Sequence, residues 1–220
     1  MSYSTYTSNI RELSETDGVF TTAQAKRFGI PADALSYACR TGRLERVSQG
    51  AYRLIGSQPT QLDELSAAWK LTSPEKMSFE RIPFASWDGI AIGGTTAASI
   101  IGIGDFYLSP YRIFAPRRIN SRNTSVRFGV REIAREDVAF IGGLPVTRAE
   151  RTLLDLCIDK EDPSLIAKAL SDCARRFTGS FSFGHLKSLF VSTFGADKGM
   201  SQLEALLADA GIERKAYDVL

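Results

Sequence analysis

Between residues 18 and 54 the sequence GVFTTAQAKRFGIPADALSYACRTGRLERVSQGAYRL sets helix starts, helix stops and a hairpin so close together that few folds can hold it. Thr21-Thr22-Ala23-Gln24 has the spacing of a capping box, with Thr21 as N-cap and Gln24 three residues later. The helix it begins runs to Phe28 and stops at Gly29, a residue suited to the left-handed C′ position. Pro31 fits the first turn of the next helix, where its missing N–H costs nothing. That helix, residues 31–41, puts Leu35, Ala38 and Cys39 on one face, leaves Asp33, Ser36, Tyr37 and Arg40 largely outside the stripe, and ends at Gly42. Residues 43–54 hold two runs of strand formers around Ser48-Gln49-Gly50, which predicts a hairpin. Upstream, Ile10 and Leu13 share one face of a short helical pattern that Asp17-Gly18 breaks.

Helix, helix, tight turn, helix and two-stranded hairpin make a winged helix-turn-helix. In such a unit the helix after the turn enters the major groove, and the wing follows the backbone or minor groove. The base-facing candidates are therefore Asp33, Ser36, Tyr37 and Arg40. Arg43, Arg46, Gln49 and Arg53 are candidates for phosphate contacts from the wing and its base. Winged helices also serve as protein-interaction modules, and that alternative stays open at this point.

Net charge looks uninformative, at +2 over 220 residues. Taken by segment it is not. Residues 112–135 contain seven arginines (Arg112, Arg117, Arg118, Arg122, Arg127, Arg131 and Arg135) against the single acid Glu132. Guanidinium forks suit phosphate oxygens and base edges, so this stretch is a second candidate surface, with Arg112, Arg117, Arg118, Arg122 and Arg127 as its residues. The bland alternative is a solvated ribbon offset by acids elsewhere in the fold. A hydrophobic fraction of 44% and a charged fraction of 24% exclude fibrous, low-complexity and wholly disordered classes. No apolar run reaches bilayer-spanning length, no signal-peptide layout opens the chain, and three scattered cysteines form no disulfide framework. The expectation is a soluble cytoplasmic protein without membrane contact.

Gly56-Ser57-Gln58-Pro59 reads as a short linker. Beyond it Leu62, Leu65 and Trp69 mark a helix, residues 78–87 show no clear period, and TTAASIIGIG (95–104) reads as a small-residue helix capped by Thr95 or Thr96 and ended by Gly102 or Gly104. Short strands are expected at 111–115, 126–130 and 138–141, and helices at 148–158, 163–176, 183–194 and 200–210. The fold class expected is α+β. A winged helix-turn-helix domain spans residues 1–56, and a larger mixed α/β domain ending in helices spans residues 57–220.

Catalytic chemistry is not legible. The glycines around Gly93 satisfy no phosphate-loop pattern, and a single histidine, His185, with scattered cysteines gives no zinc set. Gly179-Ser180 lacks the Asp-x-Asp that two-metal phosphoryl transfer needs. Glu213-Arg214-Lys215 has a nuclease-like Glu-x-Lys spacing with only five residues after it. No catalytic residue, metal or cofactor is therefore assigned, and no enzyme activity is expected.

Two stretches resemble a known family. Residues 18–54 resemble the N-terminal winged helix of AbiEi-type antitoxins, with Thr-Thr-x-x-Ala-x-x-x-Gly followed by Gly-x-Leu-x-Arg-Val-x-x-Gly-x-Tyr. Residues 142–157, GGLPVTRAERTLLDLC, are similar to the signature of that family's C-terminal domain, and residues 95–118 fit a weaker pattern between them. The resemblance implies an antitoxin of a type IV toxin–antitoxin pair. Such a protein represses its own promoter by binding inverted repeats through the winged helix, with basic C-terminal surface assisting DNA contact. It also implies a nucleotidyltransferase-like toxin as partner, countered through the C-terminal domain. A recognition helix carrying Asp33, Ser36 and Tyr37 departs from the arginine-rich form common in the family, which points to a dimer or a cooperative pair on DNA. The alternative function is a protein-interaction module that neutralises the toxin by direct binding. Within the signature, Leu144, Val146, Leu153, Leu154 and Leu156 read as core, and Thr147 as cap of a helix carrying an Arg151–Asp155 pair.

Overall fold

In the computed structural model, which describes residues 3–56 and 60–212, the capping box forms as its spacing predicts. The Gln24 amide donates to Thr21 Oγ1 at 3.0 Å, and the Thr21 amide donates to Gln24 Oε1 at 2.8 Å. The element order of the N-terminal part is α1 (Tyr3–Asp17), β1 (Phe20–Thr21), α2 (Thr22–Arg27), α3 (Ala32–Arg40), β2 (Leu44–Ser48) and β3 (Ala51–Leu54). The strands form an antiparallel sheet in the order β1-β3-β2, the hairpin β2-β3 following α3 as the spacing predicts. Gly29 and Gly42 both take positive φ, at 70° and 67°, and stop their helices where expected. Pro31 differs: its extended backbone (φ −75°, ψ 158°) is the N-cap of α3, one position before the first turn. Leu13, Phe20, Ile30, Leu35 and Leu44 are completely or nearly buried in one core. At roughly 1.5–3 kcal/mol per large apolar side chain, these five fix the packing of α1, α2 and α3 on the sheet.

The chain divides into Met1–Asp88 with Gly142–Leu144, and Gly89–Ile141 with Pro145–Leu220. The first unit thus extends well past the expected boundary at residue 56; residues 57–59 of the expected linker lie outside the described residues. The reason is a set of contacts from residues 60–88 back onto α1, α2 and the hairpin. Helix α4 (Asp63–Lys70) lies against the hairpin, where Ala67 packs with Val19, Ala51, Val47 and Leu71. Lys70 Nζ meets the fully buried Asp17 carboxylate at 2.6 Å, and burial pushes the Lys70 amine below its ordinary pKa. Gln24 Nε2 donates to the Lys76 carbonyl at 2.8 Å, and Arg27 grips Glu80 of α5 (Ser78–Arg81) with two bonds of 2.6 and 2.8 Å. Arg81 is buried over the Trp69 ring at 3.9 Å and bonds Asp88 at 2.7 Å.

The second unit is built on a five-stranded mixed sheet in the order β6-β5-β4-β8-β7. Its strands are β4 (Ala91–Ile92), β5 (Tyr111–Ala115), β6 (Val126–Val130), β7 (Val138–Ile141) and β8 (Leu144–Thr147). Strand β4 pairs antiparallel with β5 and parallel with β8, while β5 and β6 are parallel. Helix α6 (Gly94–Ile101) leaves β4 through Gly93, where a Cβ would come within 2.3 Å of the Phe114 ring; only glycine fits. Gly93 is also its N-cap, so neither Thr95 nor Thr96 caps it. Thr96 is buried and instead donates to the Leu108 carbonyl at 2.9 Å and accepts from the Arg112 amide at 2.8 Å.

Four helices follow: α7 (Ala149–Ile158), α8 (Pro163–Arg176), α9 (Phe183–Phe194) and α10 (Ala196–Asp209). The last begins earlier than expected. Gly199 lies inside α10, where a Cβ would come within 2.5 Å of the Phe190 carbonyl, so glycine lets α10 pack this closely on α9. Leu153, Leu154, Leu156, Leu170, Leu186 and Phe190 form the core of this layer, so the signature leucines are core as expected. Thr147 does not cap α7. It ends β8, and its hydroxyl meets Thr152 Oγ1 at 2.7 Å while Arg148 holds the N-cap position.

Candidate nucleic-acid interface

Helix α3 turns Ala34, Leu35 and Ala38 into the core. That fixes the outward face: Asp33, Ser36 and Arg40 are exposed, and Tyr37 is half-buried at its edge. Ser36 Oγ donates back to the Ala32 carbonyl at 3.0 Å, an i−4 bond that leaves its lone pairs available to solvent. The Arg40 guanidinium sits 5.9 Å from the Tyr37 ring centroid, which holds the long side chain along the helix end. Among the described residues no acid pairs with Arg40.

The hairpin puts its expected residues in different places. Gln49 is exposed at the tip. Arg46 is exposed on β2, packed 5.5 Å from the Tyr52 ring with a 3.5 Å contact to its hydroxyl. Arg43 is exposed where α3 meets β2 and bonds Thr7 Oγ1 of α1 at 3.4 Å. Arg53 is the exception. Strand pairing sets it opposite Glu45, its side chain is only 11% exposed, and it is ion-paired to Glu45 and, at 3.2 Å, to Asp63 of α4. It holds α4 on the hairpin and cannot serve as the phosphate contact that its place in the sequence implied. Lys26, exposed on α2 just before the turn, is a cation that motif reasoning did not single out; only its helical position outside the Gln24–Ala25 buried face marks it.

The arginine-rich stretch of the second unit also separates into two sets. Arg112 turns toward α7, with its guanidinium 2.8 Å from Asp159. Arg131 bridges Asp155 at 3.0 Å and Asp159 at 2.7 Å, and lies 4.1 Å from the Phe114 ring centroid. Arg135 donates to the Val138 carbonyl at 3.2 Å and stacks on Phe140. These three are structural. Arg117, Arg118, Arg122 and Arg127 are exposed, and among the described residues none of them forms an ion pair. Arg112, Arg118 and Arg127 line a polar cleft of about 350 Å3 that also presents Asn120 and Ser121. No acid lines it.

The Arg151–Asp155 pair forms at 3.0 Å, with Asp155 fully buried beneath Arg131 as well. Burial pushes the Asp155 carboxyl up to about 6 against the pull of both arginines. His185 opens α9 and contacts Asp137 at 2.7 Å, a helix-start residue as expected. Burial raises the Cys157 and Cys173 thiols to about 12, far from a reactive thiolate. Among the described residues no group of three or more His, Cys, Asp or Glu is placed to hold a metal ion. No helix among them is long and apolar enough to cross a membrane. Glu213 and Lys215 lie outside the described residues.

Residues 10–55 match the family model described as a transcriptional regulator, AbiEi antitoxin. The match runs from the second half of α1 to the end of the hairpin and is confined to the N-terminal module. No curated protein matches the chain. Among solved structures, the RV2827C protein from Mycobacterium tuberculosis is similar at a TM-score of 0.55 and 18% identity, over 95% of this chain and 83% of that one. That likeness is one of fold.

Proposed function

We propose that the chain is a DNA-binding transcriptional autorepressor and antitoxin of a type IV pair, on the premise that its N-terminal module is of the AbiEi antitoxin regulator type. The observation that carries the reading is the outward face of α3. Asp33, Ser36 and Arg40 stand clear of the core on the helix after the turn, and Arg43, Arg46 and Gln49 flank it from the hairpin. In this reading Arg40 meets a base edge, with Ser36 and Tyr37 supporting it, while Arg43, Arg46 and Lys26 meet phosphates. Arg117, Arg118, Arg122 and Arg127 add sequence-independent contacts. Two copies on inverted half-sites compensate for a recognition face with one arginine and one acid. The protein acts by binding, in the cytoplasm, on its own promoter and against a nucleotidyltransferase-like toxin, and carries no catalysis.

A gel shift on the upstream promoter tests it. Arg40→Ala is expected to cost about 1–3 kcal/mol on the specific site and little on random DNA. Equal losses on both would reduce Arg40 to a phosphate contact. Absence of any promoter complex, with the toxin co-purifying, would replace this reading by that of a protein-interaction module.

A further inference from the structure

A cleft of about 340 Å3 opens in the first unit between α1, the C-terminal half of α3 and the end of β3. Its floor is apolar: Ile10, Ala34 and Ala38 belong to the core, yet two alanines four residues apart on α3 leave the space above them unfilled by the described residues. Tyr6 and Leu54 form walls, and Ile55, half-exposed to solvent, forms a lip. Two cations stand at the rim, Arg11 and Arg43. Among the described residues no acid lines the cleft, and neither arginine forms an ion pair.

We infer that this cleft is a binding site for a small amphipathic anion, a compact apolar body carrying one carboxylate. Its volume lies within the range of small-molecule sites, and its make-up follows their pattern of an apolar lining with few polar groups that fix orientation. The apolar body lies on the core floor of Ile10 and Ala38 and covers Ile55, which is otherwise half-exposed to water. The carboxylate takes the guanidinium N–H groups of Arg11 and Arg43, where a neutral ligand would leave both cations as they are. A cationic ligand is repelled, and a bare inorganic anion gains nothing from the floor. Resting on the DNA-binding reading proposed above, the site is also regulatory. Tyr37 and Arg43 belong both to the cleft and to the nucleic-acid face, so a ligand whose head group occupies Arg43 competes with a phosphate for it.

Octanoate, kept below its micelle-forming concentration, is the probe, added to the full chain and followed by amide NMR. Saturable shifts confined to α1, the end of α3 and residues 54–55 are expected. 1-Octanol, with the same body and no charge, is expected to bind about tenfold more weakly, as is octanoate to the Arg11→Ala/Arg43→Ala variant. Thr7 is exposed on α1 at the cleft edge, so Thr7→Phe fills the space without entering the core and is expected to abolish the shifts. No saturable shift, equal binding of octanol and octanoate, or unchanged binding to Thr7→Phe would each overturn the site. In a promoter gel shift, octanoate is expected to weaken binding of the parent chain and not of Thr7→Phe. Saturation of the cleft with DNA affinity unchanged would overturn the regulatory role. A chain that binds no promoter would overturn the DNA-binding reading, while the NMR titration would still decide the site.

Discussion

Arg46 and Arg53 are seven residues apart on one hairpin, and the register of two strands separates their roles. Arg53 is opposite Glu45 and reaches Asp63, so its charge is spent inside the fold, whereas Arg46 lies over Tyr52 with its guanidinium in solvent. Arg53→Ala is expected to lower stability by roughly 1–3 kcal/mol in urea unfolding, because it strands the partly buried Asp63, and to leave the salt slope of DNA binding alone. Arg46→Ala is expected to do the reverse, with stability nearly unchanged and a slope shallower by about 0.9. A salt slope that changes with Arg53 and not Arg46 would show that the assignment is inverted. Asp155 supplies a pH test at the same scale. Its folded pKa, about 6, stands above its ordinary 3.8 through burial, so the native state holds this proton more tightly than the unfolded chain does. Stability from this group is therefore complete below about pH 4 and lost as pH rises through about 6, worth on the order of 3 kcal/mol. The difference in unfolding free energy between the parent chain and Asp155→Asn is expected to move against the parent over that window. A difference that grows with pH would mean that Arg131 and Arg151 outweigh burial.

At the scale of elements, helix α4 decides what the first unit is. It covers the hairpin through Ala67 and Leu71 and reaches the end of α1 through Lys70, whose amine is sealed against Asp17. Lys70→Met leaves the Asp17 carboxylate buried and unpaired, at an expected cost of about 3–5 kcal/mol by thermal or urea unfolding. The double variant Asp17→Asn/Lys70→Met is expected to recover much of it, since neither charge then remains. A loss below about 1 kcal/mol in the single variant would mean that α4 is an appendage. This contact also explains how far the sequence could be read. The capping box at Thr21, the stops at Gly29 and Gly42 and the Ser48-Gln49-Gly50 turn are local, each set by residues within a few positions, and all were legible. The Asp17–Lys70 pair joins residues 53 apart and has no periodic signature, so the expected boundary fell at a Gly-Ser-Gln-Pro run instead. Thr147 misled for a related reason: local propensity made it a cap, and packing against Thr152 overrode it.

Across the whole molecule, a formal charge of +2 conceals how cations are distributed between work and structure. Sequence could count seven arginines from Arg112 to Arg135 but could not tell which would find carboxylates, because Asp155 and Asp159 come from a helix that packs there only in the folded chain. Arg112, Arg131 and Arg135 are held by the fold; Arg117, Arg118, Arg122 and Arg127 are exposed and, among the described residues, form no ion pair. The consequence is measurable as a counterion count. If all four contact phosphates, replacing them together by Gln lowers the salt slope of promoter binding by about 3–4, at roughly 0.9 per phosphate. The specificity ratio between promoter and random DNA is expected to survive, since phosphate contacts position the protein and base edges specify it. Binding to both DNAs should weaken in parallel while Arg40→Ala, in the same background, still lowers only the specific affinity. A slope unchanged by the fourfold replacement would confine the grip on DNA to the winged helix, whose few exposed cations would then have to act from two copies at once.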